Sequence, residues 1–386
     1  MRASREEFLV FGQPDIQQED IDELLDSVRK NWLGTGPKAA EFERRFAAYK
    51  GVESAAAVYS CTAALQLAMI AIDIQPGDEV ITSPLTFCAT VNAIVHAGGV
   101  PVLADIEPGS MNISPQEIEK KLSPRTRAIV PVHFAGRPCD MDWIMRIAED
   151  RNLKVIEDCA HAIETEYHGK KAGTLGHFGC FSFYATKNLA TGEGGMVLAK
   201  NREDLDRIRV LALHGMNKDA WKRFSDAGYK HYQVVECGFK YNMMDIQASL
   251  GIHQIARIGK MWERRKELWS IYRDELASCN VTLPAMPDPD TIHGYHLFTI
   301  LVSKQKSGID RDEFLVRMGQ KKIGVGVHYL SVAEHPVYQE MFGWQPEMWP
   351  VSCEVGRTTV SLPFSPKLTD ADVADVMHAV KTSLIP

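Results

Sequence analysis

Two apolar runs in the middle of the chain each end in polar residues that could take part in catalysis. Residues 155–156 lead into Asp158 and His161, and residues 180–184 lead into Lys187. A carboxylate at the end of a buried strand is costly unless a cation or donors meet it, although a helix cap or a local salt bridge would also satisfy Asp158. A lysine that loses its solvent could be a covalent nucleophile, although most lysines are simply solvated.

A third segment, residues 59–65, combines hydroxyl side chains with the start of an alanine-rich helix. The N–H groups and the dipole at a helix N-terminus favour a phosphate, although Ser60 and Thr62 could equally be plain helix caps. Phe87 adds an aromatic ring after another apolar run. A phosphate cradle, an aromatic ring, a strand-end aspartate and a strand-end lysine are together the parts that hold pyridoxal 5'-phosphate (PLP).

These polar groups must be positioned by strands, because ligands gather at the carboxyl ends of strands in an open α/β sheet. Up to about residue 200, short apolar runs alternate with helical stretches. This alternation predicts βαβ units and a mostly parallel sheet that is buried on both faces. The fold class that we expect is therefore α/β.

The remaining elements suggest a second, smaller domain. Apolar residues keep helical spacing over residues 258–276, and we expect a strand at 295–302, a helix near 310–320 and a last helix opened by Thr369. We therefore predict a large domain over 1–255 and a small α+β domain over 256–386. Near the N-terminus, Ile21, Leu24, Leu25 and Val28 form the stripe of an amphipathic helix, which could pack with the small domain.

Composition excludes several classes of protein. The chain has 386 residues with 43 Lys plus Arg against 50 Asp plus Glu, so its net charge of −7 offers no electrostatic footprint for nucleic acid. We find no apolar run long enough to span a membrane and no signal core at the N-terminus. The eight cysteines form no C-x-x-C pair. We therefore expect a cytoplasmic protein with reduced thiols and no metal site, nucleic-acid partner or membrane partner.

Signature motifs of other enzymes are missing too. The glycine-rich segments at 34–36 and 324–326 lack the third glycine of a dinucleotide-binding loop. The sequence has no Walker A loop, no H-E-x-x-H and no G-x-S-x-G motif. These absences weigh against a dehydrogenase, a P-loop enzyme, a zinc protease and an α/β-hydrolase.

Five ordered motifs resemble the DegT-type (DegT/DnrJ/StrS) family of PLP-dependent nucleotide-sugar aminotransferases. The motifs occupy residues 60–65, 86–90, 157–162, 181–195 and 238–243, and the resemblance extends over nearly the whole chain. It implies fold type I of the PLP-dependent transferases, with a mostly parallel sheet of the seven-stranded type flanked by helices. It also implies PLP as cofactor and a role in polysaccharide or lipopolysaccharide biosynthesis.

The resemblance assigns roles to individual residues. Lys187 would bind PLP covalently and move the proton between substrate carbon and cofactor, and Asp158 would pair with the pyridinium nitrogen. His161 would contact the ring hydroxyl and Phe87 would stack on the ring. The remaining cofactor contacts would be made to the phosphate, by Thr62, the N–H of Ala63 and Ser182, with Asn242 reaching the phosphate of the neighbouring subunit. The last contact makes a homodimer with shared active sites a functional requirement.

Looser matches indicate the branch of the family. Lys187 is kept where the dehydratase members have histidine, which favours transamination. The segments 213–216, 292–298 and 326–329 look most like enzymes that aminate C4 of a UDP-4-keto sugar, such as the 4-amino-4-deoxy-L-arabinose aminotransferase. The implied reaction is ping-pong, with L-glutamate as donor, 2-oxoglutarate as product and a nucleotide-linked keto sugar as acceptor. Gly34, Thr35 and His328 are our candidates for sugar contacts.

Three alternatives remain open on the sequence. A related enzyme acting on a 3-keto sugar or an aminocyclitol precursor would share every cofactor motif. A non-catalytic regulator would keep the fold but lose the lysine or its partners, which are all present. An amino-acid transaminase would need a dedicated arginine for the substrate carboxylate, and Arg311, Arg317 and Arg357 lie in the last third without a motif.

Overall fold

The computed structural model describes residues 5–217 and 232–385. The described strands in chain order are β1 Ala56–Val58, β2 Glu79–Thr82, β3 Val100–Leu103, β4 Thr126–Val130, β5 Lys154–Asp158, β6 Glu166–Tyr167, β7 Lys170–Lys171, β8 Phe178–Ser182, β9 Gly195–Ala199, β10 Thr291–Ile292, β11 Thr299–Leu301 and β12 Thr359–Ser361.

The described α-helices in chain order are α1 Gln18–Arg29, α2 Pro37–Lys50, α3 Cys61–Ala71, α4 Cys88–His96, α5 Pro115–Lys121, α6 Met141–Arg151, α7 Arg202–Ala212, α8 Asp245–Ala256, α9 Ile258–Leu276, α10 Lys304–Ser307, α11 Arg311–Gln320, α12 Pro336–Phe342, α13 Pro350–Thr358 and α14 Asp370–Ser383. None of the helices in these ranges is both long and apolar enough to cross a membrane.

Seven strands form the central sheet, in the order β1-β9-β8-β5-β4-β2-β3. The pairings from β3 across to β8 are parallel, whereas β9 pairs antiparallel with both β8 and β1. Only β9 therefore runs against the other six. The predicted α/β class and the mostly parallel sheet of seven strands are confirmed, and the carboxyl ends of six strands lie at one edge.

Apolar side chains pack the sheet on both faces and form a further cluster in the last third of the chain. Helices α3 and α7 cover one face of the sheet, where Leu65, Val130 and Ile208 are fully buried. Helices α2 and α8 cover the other face. The cluster of the last third gathers residues of α9, α11 and α14, and Leu9 from the N-terminal segment joins it. The domain division at 255/256 stays a prediction.

Two expectations about elements need correction. The helix near the N-terminus forms, but Ile21, Leu25 and Val28 are 40%, 39% and 48% exposed, while Asp20 and Ser27 on the adjoining side of the helix are buried. The reason is that Arg257 and the chain near residue 17 hold Asp20 against the α8 end. In a single chain, the apolar stripe of α1 therefore faces outward, and the other described residues of that chain leave it partly uncovered.

The strand expected at 295–302 is also shorter than predicted. Only Thr299–Leu301 pairs with β12. The preceding residues dock as a loop, because Gly294 N–H donates to the Gly136 carbonyl at 2.7 Å and His296 N–H donates to the Ala135 carbonyl at 3.0 Å. This loop places His296 at the carboxyl edge of the central sheet.

Candidate active site

Four of the predicted residues lie at or just beyond the carboxyl edge of the sheet because of where their strands end. Asp158 is the last residue of β5 and Ser182 the last residue of β8. Ser60 follows β1, and its side chain caps α3. Phe87 follows β2 and occupies the position just before α4. Parallel strands thus place a carboxylate, two hydroxyls and an aromatic ring at one edge.

Asp158 is buried and has two hydrogen-bond donors. Thr90 Oγ1 donates to Asp158 Oδ2 at 2.8 Å, and Ala160 N–H donates to Oδ1 at 3.1 Å. Burial raises the pKa of Asp158, and these donors and Lys187 act against that rise. The carboxylate is held in one orientation and retains the capacity to pair with a further cation or N–H group.

Lys187 lies in the loop after β8, with its N–H donating to the Tyr184 carbonyl at 2.8 Å. Loss of solvent lowers the pKa of Lys187 to about 8, and Cys61 and Asp158 oppose the shift. A substantial part of the amine is therefore neutral near pH 8, which is the form that attacks a carbonyl carbon.

A tyrosine that sequence reasoning did not select completes the surroundings of His161. The Tyr329 hydroxyl lies 2.9 Å from His161 Nε2, and Ala135 N–H donates to His161 Nδ1 at 3.2 Å. Because Nδ1 accepts this bond, the neutral ring carries its proton on Nε2 and directs it to Tyr329. Burial, with smaller effects of Lys187 and His328, lowers the pKa of His161 well below its usual range.

Two more histidines stand near Lys187. His328 Nδ1 lies 2.8 Å from Ser361 Oγ, and burial together with the Lys187 charge lowers the pKa of His328 to about 3. The ring of His296 lies against that of His161, with centroids 4.3 Å apart, and burial lowers its pKa as well. All three imidazoles are therefore neutral near pH 7.

The start of α3 offers backbone N–H groups for an anion. Ser60 Oγ accepts the N–H of Ala63 at 3.1 Å, which leaves the amides of Cys61 and Thr62 at the N-terminus of the helix. A Cβ atom at Gly195 would lie 2.5 Å from the Ser60 carbonyl carbon, so only glycine lets β9 approach this turn.

The other predicted phosphate contacts lie close to this turn but have partners in the structure. The N–H of Ala63 donates to Ser60 instead of pointing outward, and Ser182 Oγ accepts the N–H of Tyr184 at 3.3 Å. Thr62 is half-buried in the first turn of α3. The phosphate roles of Thr62, Ala63 and Ser182 stay predictions.

Phe87 presents its ring at the mouth of the site. The ring is 57% exposed, and its centroid lies 5.8 Å from that of Tyr329. A large aromatic ring that is exposed beside a buried polar group is suited to stacking on a planar ligand. Stacking on the cofactor stays a prediction for this residue.

Gly34, Thr35 and Asn242 form a separate group within the chain. Thr35 Oγ1 contacts the Met243 carbonyl and the Asn242 amide, and Asp245 N–H donates to the Gly34 carbonyl at 3.0 Å. A cavity of about 490 Å³ beside Thr35 and Asn242 reaches Arg209. Of the three predicted sugar contacts, the structure brings only His328 to Lys187.

A buried group of possible metal ligands lies under the same sheet edge. The ligand atoms of His133, Glu157 and Cys159 lie within 4.8 Å of one another. Glu157 accepts hydrogen bonds from His133 Nε2 at 3.0 Å and from three backbone N–H groups of the segment 173–176. These bonds account for burial of the carboxylate without a cation.

Sequence reasoning missed the contributions of Thr90, Tyr329, His296 and Asn188. Each lies inside or next to a motif that the sequence analysis quoted, so position in the motif was the available signal. Their partners, however, lie far along the chain, as in the 68 positions between Thr90 and Asp158. Spacing along the sequence cannot reveal such contacts.

The geometry fits PLP. A part-neutral Lys187 and a buried Asp158 lie beside a helix N-terminus that only a glycine at 195 leaves open. In such a site Lys187 would bind the cofactor's aldehyde carbon, Asp158 its ring nitrogen and the first turn of α3 its phosphate.

A known family of aminotransferases and a polysaccharide biosynthesis protein resemble this chain over almost its whole length. The model of the DegT/DnrJ/EryC1/StrS aminotransferase family matches residues 14–381. The spore coat polysaccharide biosynthesis protein SpsC of Bacillus subtilis is 44% identical over 382 residues, which is 99% of this chain and 98% of SpsC.

Solved structures agree with the family match. Spr1654 of Streptococcus pneumoniae, solved in PMP and PLP forms, has 29% identity in its PMP form, with a TM-score of 0.90 and 98% of each chain covered. Helicobacter pylori PseC, an aminotransferase involved in the biosynthesis of pseudoaminic acid, has 26% identity and a TM-score of 0.90, with 98% of this chain and 99% of PseC covered. The chain belongs to the DegT/DnrJ/EryC1/StrS aminotransferase family and is a PLP-dependent aminotransferase.

Proposed function

We propose that this aminotransferase moves an amino group from L-glutamate to the keto carbon of a nucleotide-linked keto sugar, at C4, in a ping-pong reaction. The names of its relatives support a sugar acceptor, since SpsC is a polysaccharide biosynthesis protein and PseC acts in the biosynthesis of pseudoaminic acid. The choice of C4 and of glutamate rests on the resemblance of the loops described above.

The neutral, hydrogen-bonding surroundings of Lys187 carry the proposal. His161, His296, His328 and Tyr329 line this region, and burial keeps all four uncharged near neutral pH. Imidazole and phenol groups can each donate or accept a hydrogen bond. Uncharged groups of this kind suit the hydroxyl groups of a sugar ring better than the carboxylate of an amino-acid acceptor.

The arginines that could favour an amino-acid transaminase are engaged elsewhere. Arg311 contacts Asp312 and the Gly356 carbonyl, and Arg357 pairs with Glu334. Arg317 donates to carbonyls at the end of α14 and to Glu313. These contacts lie around α11 and α13, and they leave no dedicated carboxylate clamp among these three side chains.

The residues of this chain would divide the work of the reaction. When bound, PLP supplies an electron sink for the substrate carbon and carries the amine between the two substrates. Lys187 Nζ would take the proton from the substrate carbon and return it. Asp158 would keep the ring nitrogen protonated, and the Ala135 N–H, by donating to His161 Nδ1, keeps the proton of His161 on Nε2, where it faces Tyr329.

We further propose a cytoplasmic homodimer with shared sites. The apolar face of α1 is exposed in one chain, and Trp32 and Leu33 beyond the helix are 50% and 48% exposed. Large exposed apolar patches commonly mark protein interfaces. Asn242 lines the same cavity as the exposed Trp32, so a second copy that covers this face could bind Asn242 at its own phosphate site.

The first test is spectroscopic. The purified protein loaded with PLP should show visible absorbance, and L-glutamate alone should convert that band to the pyridoxamine form. Added UDP-4-keto sugar should then restore the band, and with 15N-glutamate the product should carry 15N at C4 by NMR. Lys187→Ala should lose the covalent band and turnover, and a Lys187→Ala protein with wild-type rate would contradict the assignment.

The acceptor test discriminates among the alternatives. A band that responds to glutamate but is restored only by a 3-keto sugar or an aminocyclitol ketone would move the reaction to that acceptor. Absence of any band in protein supplied with PLP would favour a ligand-sensing role.

A further inference from the structure

A buried chain of hydrogen bonds stands directly behind Lys187. The next residue, Asn188, donates from Nδ2 to Glu164 Oε1 and Oε2 at 3.0 and 2.9 Å and to the Gly294 carbonyl at 2.8 Å. Its Oδ1 lies 2.9 Å from His296 Nδ1. Asn188, Glu164 and His296 are each only 4% exposed.

The partners fix the orientation of both polar side chains. Glu164 and the Gly294 carbonyl are acceptors, so the amide nitrogen of Asn188 must face them and its oxygen must face His296. His296 therefore carries its proton on Nδ1 and donates it to Asn188. A carboxyl group, an amide and an imidazole in series hold the ring of His296 against that of His161, with centroids 4.3 Å apart and the ring planes tilted by 33°.

The chain also joins segments that are far apart in the sequence. Glu164 follows β5, Lys187 and Asn188 follow β8, and His296 precedes β11 in the last third. The loop that carries His296 is tied to Gly136 and Ala135 by its own backbone. Asn188 is thus the side chain at which the last third of the chain contacts the turn that bears the lysine.

We propose that Asn188 and His296 are positioning residues that hold Lys187 at the distance from which its amine reaches PLP. On the other side the N–H of Lys187 is fixed to the Tyr184 carbonyl at 2.8 Å, so the backbone of Lys187 is held on both sides. Small misplacements of a reacting group are costly to rate. The proposal rests on the covalent use of Lys187 in the proposed function.

The test follows capture of PLP by Lys187 in apoenzyme. Apoenzyme is mixed with PLP at a series of pH values, reduced with borohydride after a fixed time, and the labelled fraction at Lys187 is measured by mass spectrometry. Asn188→Ala should capture PLP about tenfold more slowly. Its midpoint pH should rise, because water that enters around Lys187 restores the solvation of the ammonium.

The midpoint depends on every titratable group that acts electrostatically on Lys187. Within residues 5–217 and 232–385, these groups include Asp158, Cys61, His161, His296 and His328. Asn188→Ala removes none of these groups and no charge, although it takes away the acceptor of His296 Nδ1. A shift of the midpoint pH in that variant therefore reports a change in the position and solvation of Lys187 and not the loss of a charged group.

Two further variants separate positioning from a general loss of stability. His296→Phe keeps a ring against His161 but removes the Nδ1 donor, and it should also slow capture of PLP. This variant therefore tests the proposal even if Asn188→Ala does not fold. Trp349→Phe is the control, since Trp349 is a buried side chain whose Nε1–H donates to the Leu103 carbonyl at 2.9 Å and which packs against Trp344 outside the site. It should lower the melting temperature but leave the rate and midpoint of capture unchanged.

The outcomes are distinct. Capture by Asn188→Ala or His296→Phe at the rate and midpoint of Trp349→Phe would overturn the positioning role. Wild-type protein that fails to label at Lys187 would instead overturn the proposed function, and that result is read before any variant is compared.

Discussion

Burial and charge act in opposite directions on the amine of Lys187. Loss of solvent lowers its pKa to about 8, whereas Cys61 and Asp158 favour the ammonium. Burial prevails, and the amine becomes available near neutral pH without a neighbouring cation. The same burial raises the pKa of Asp158, so each group of the pair is displaced toward its neutral form.

A pH dependence follows for the wild-type apoenzyme. Below the pKa of about 8 the amine of Lys187 is protonated and cannot attack, so capture of PLP should rise with pH and reach half its maximum near pH 8. Borohydride trapping measured from pH 6 to 10 checks this. A half-maximum above pH 10, as for a solvated lysine, would contradict the role of burial.

The hydroxyl of Tyr329 offers a test of the proton position on His161. Tyr329→Phe keeps the ring that packs near Phe87 but leaves His161 Nε2 without its partner at 2.9 Å. We expect kcat to fall about tenfold or more with a small change in thermal stability, because the orientation of His161 is lost.

A second tyrosine provides the control for that substitution. Tyr338 also uses its hydroxyl, which donates to Asn92 Oδ1 at 2.7 Å, but it packs against Trp344 outside the site. Tyr338→Phe should leave kcat unchanged. Equal losses in the two variants would show that the hydroxyl of Tyr329 has only a packing role.

Among the elements, one carboxylate joins two helix starts. Asp245 is the first residue of α8, and it accepts the N–H groups of Gly36, Lys38 and Ala39 at the start of α2, at 2.7, 3.0 and 2.9 Å. A negative charge is favourable at both N-termini. This arrangement explains why the glycine loop before α2 lies against the Asn242 segment and not against Lys187.

Removal of this carboxylate should be costly. Asp245→Ala would leave three N–H groups without an acceptor, two of them at half-buried residues, and should lower the free energy of unfolding by about 2–3 kcal/mol. Asp310→Ala removes a cap with one bond, to Glu313 N at 2.9 Å on the surface of α11, and should cost about 1 kcal/mol. Urea unfolding of both variants compares them, and equal costs would contradict the double role of Asp245.

At the scale of the whole molecule, the proposed sharing of sites predicts complementation between subunits. Lys187→Ala and Asn242→Ala homodimers should both be impaired. If Asn242 serves the partner's phosphate, a mixed dimer has one site with both wild-type residues, and random mixing should restore about a quarter of the wild-type sites.

The opposite arrangement, in which Asn242 serves its own subunit, predicts a different activity for the mixed dimers. If Asn242 serves its own subunit, the mixed dimer has no site with both residues, and activity after refolding together should stay at the mean of the two parents. Analytical ultracentrifugation of the same samples establishes whether dimers form at all. A monomeric protein with full activity would contradict the shared site directly.

The pattern of apolar runs in the sequence predicts the class of fold, which is confirmed, and it points to the residues that we expect to carry the chemistry. Lys187 and Asp158 are candidates because each follows an apolar run, the resemblance to the family gives them their roles, and the alternation of runs and helices predicts the parallel sheet. These signals are local, since a strand and the residue that follows it are covalently joined. The helix at Ile258–Leu276 was predicted from side-chain spacing for the same reason.

Which polar groups contact one another depends on how the chain folds. His296 and Asn188 lie 108 positions apart, and Tyr329 and His161 lie 168 positions apart, so no spacing along the chain joins them. The exposed stripe of α1 was likewise decided by Arg257, which holds Asp20 on the inner face. Periodicity identifies one face of a helix as apolar, but whether that face is buried depends on the partner against which the helix packs.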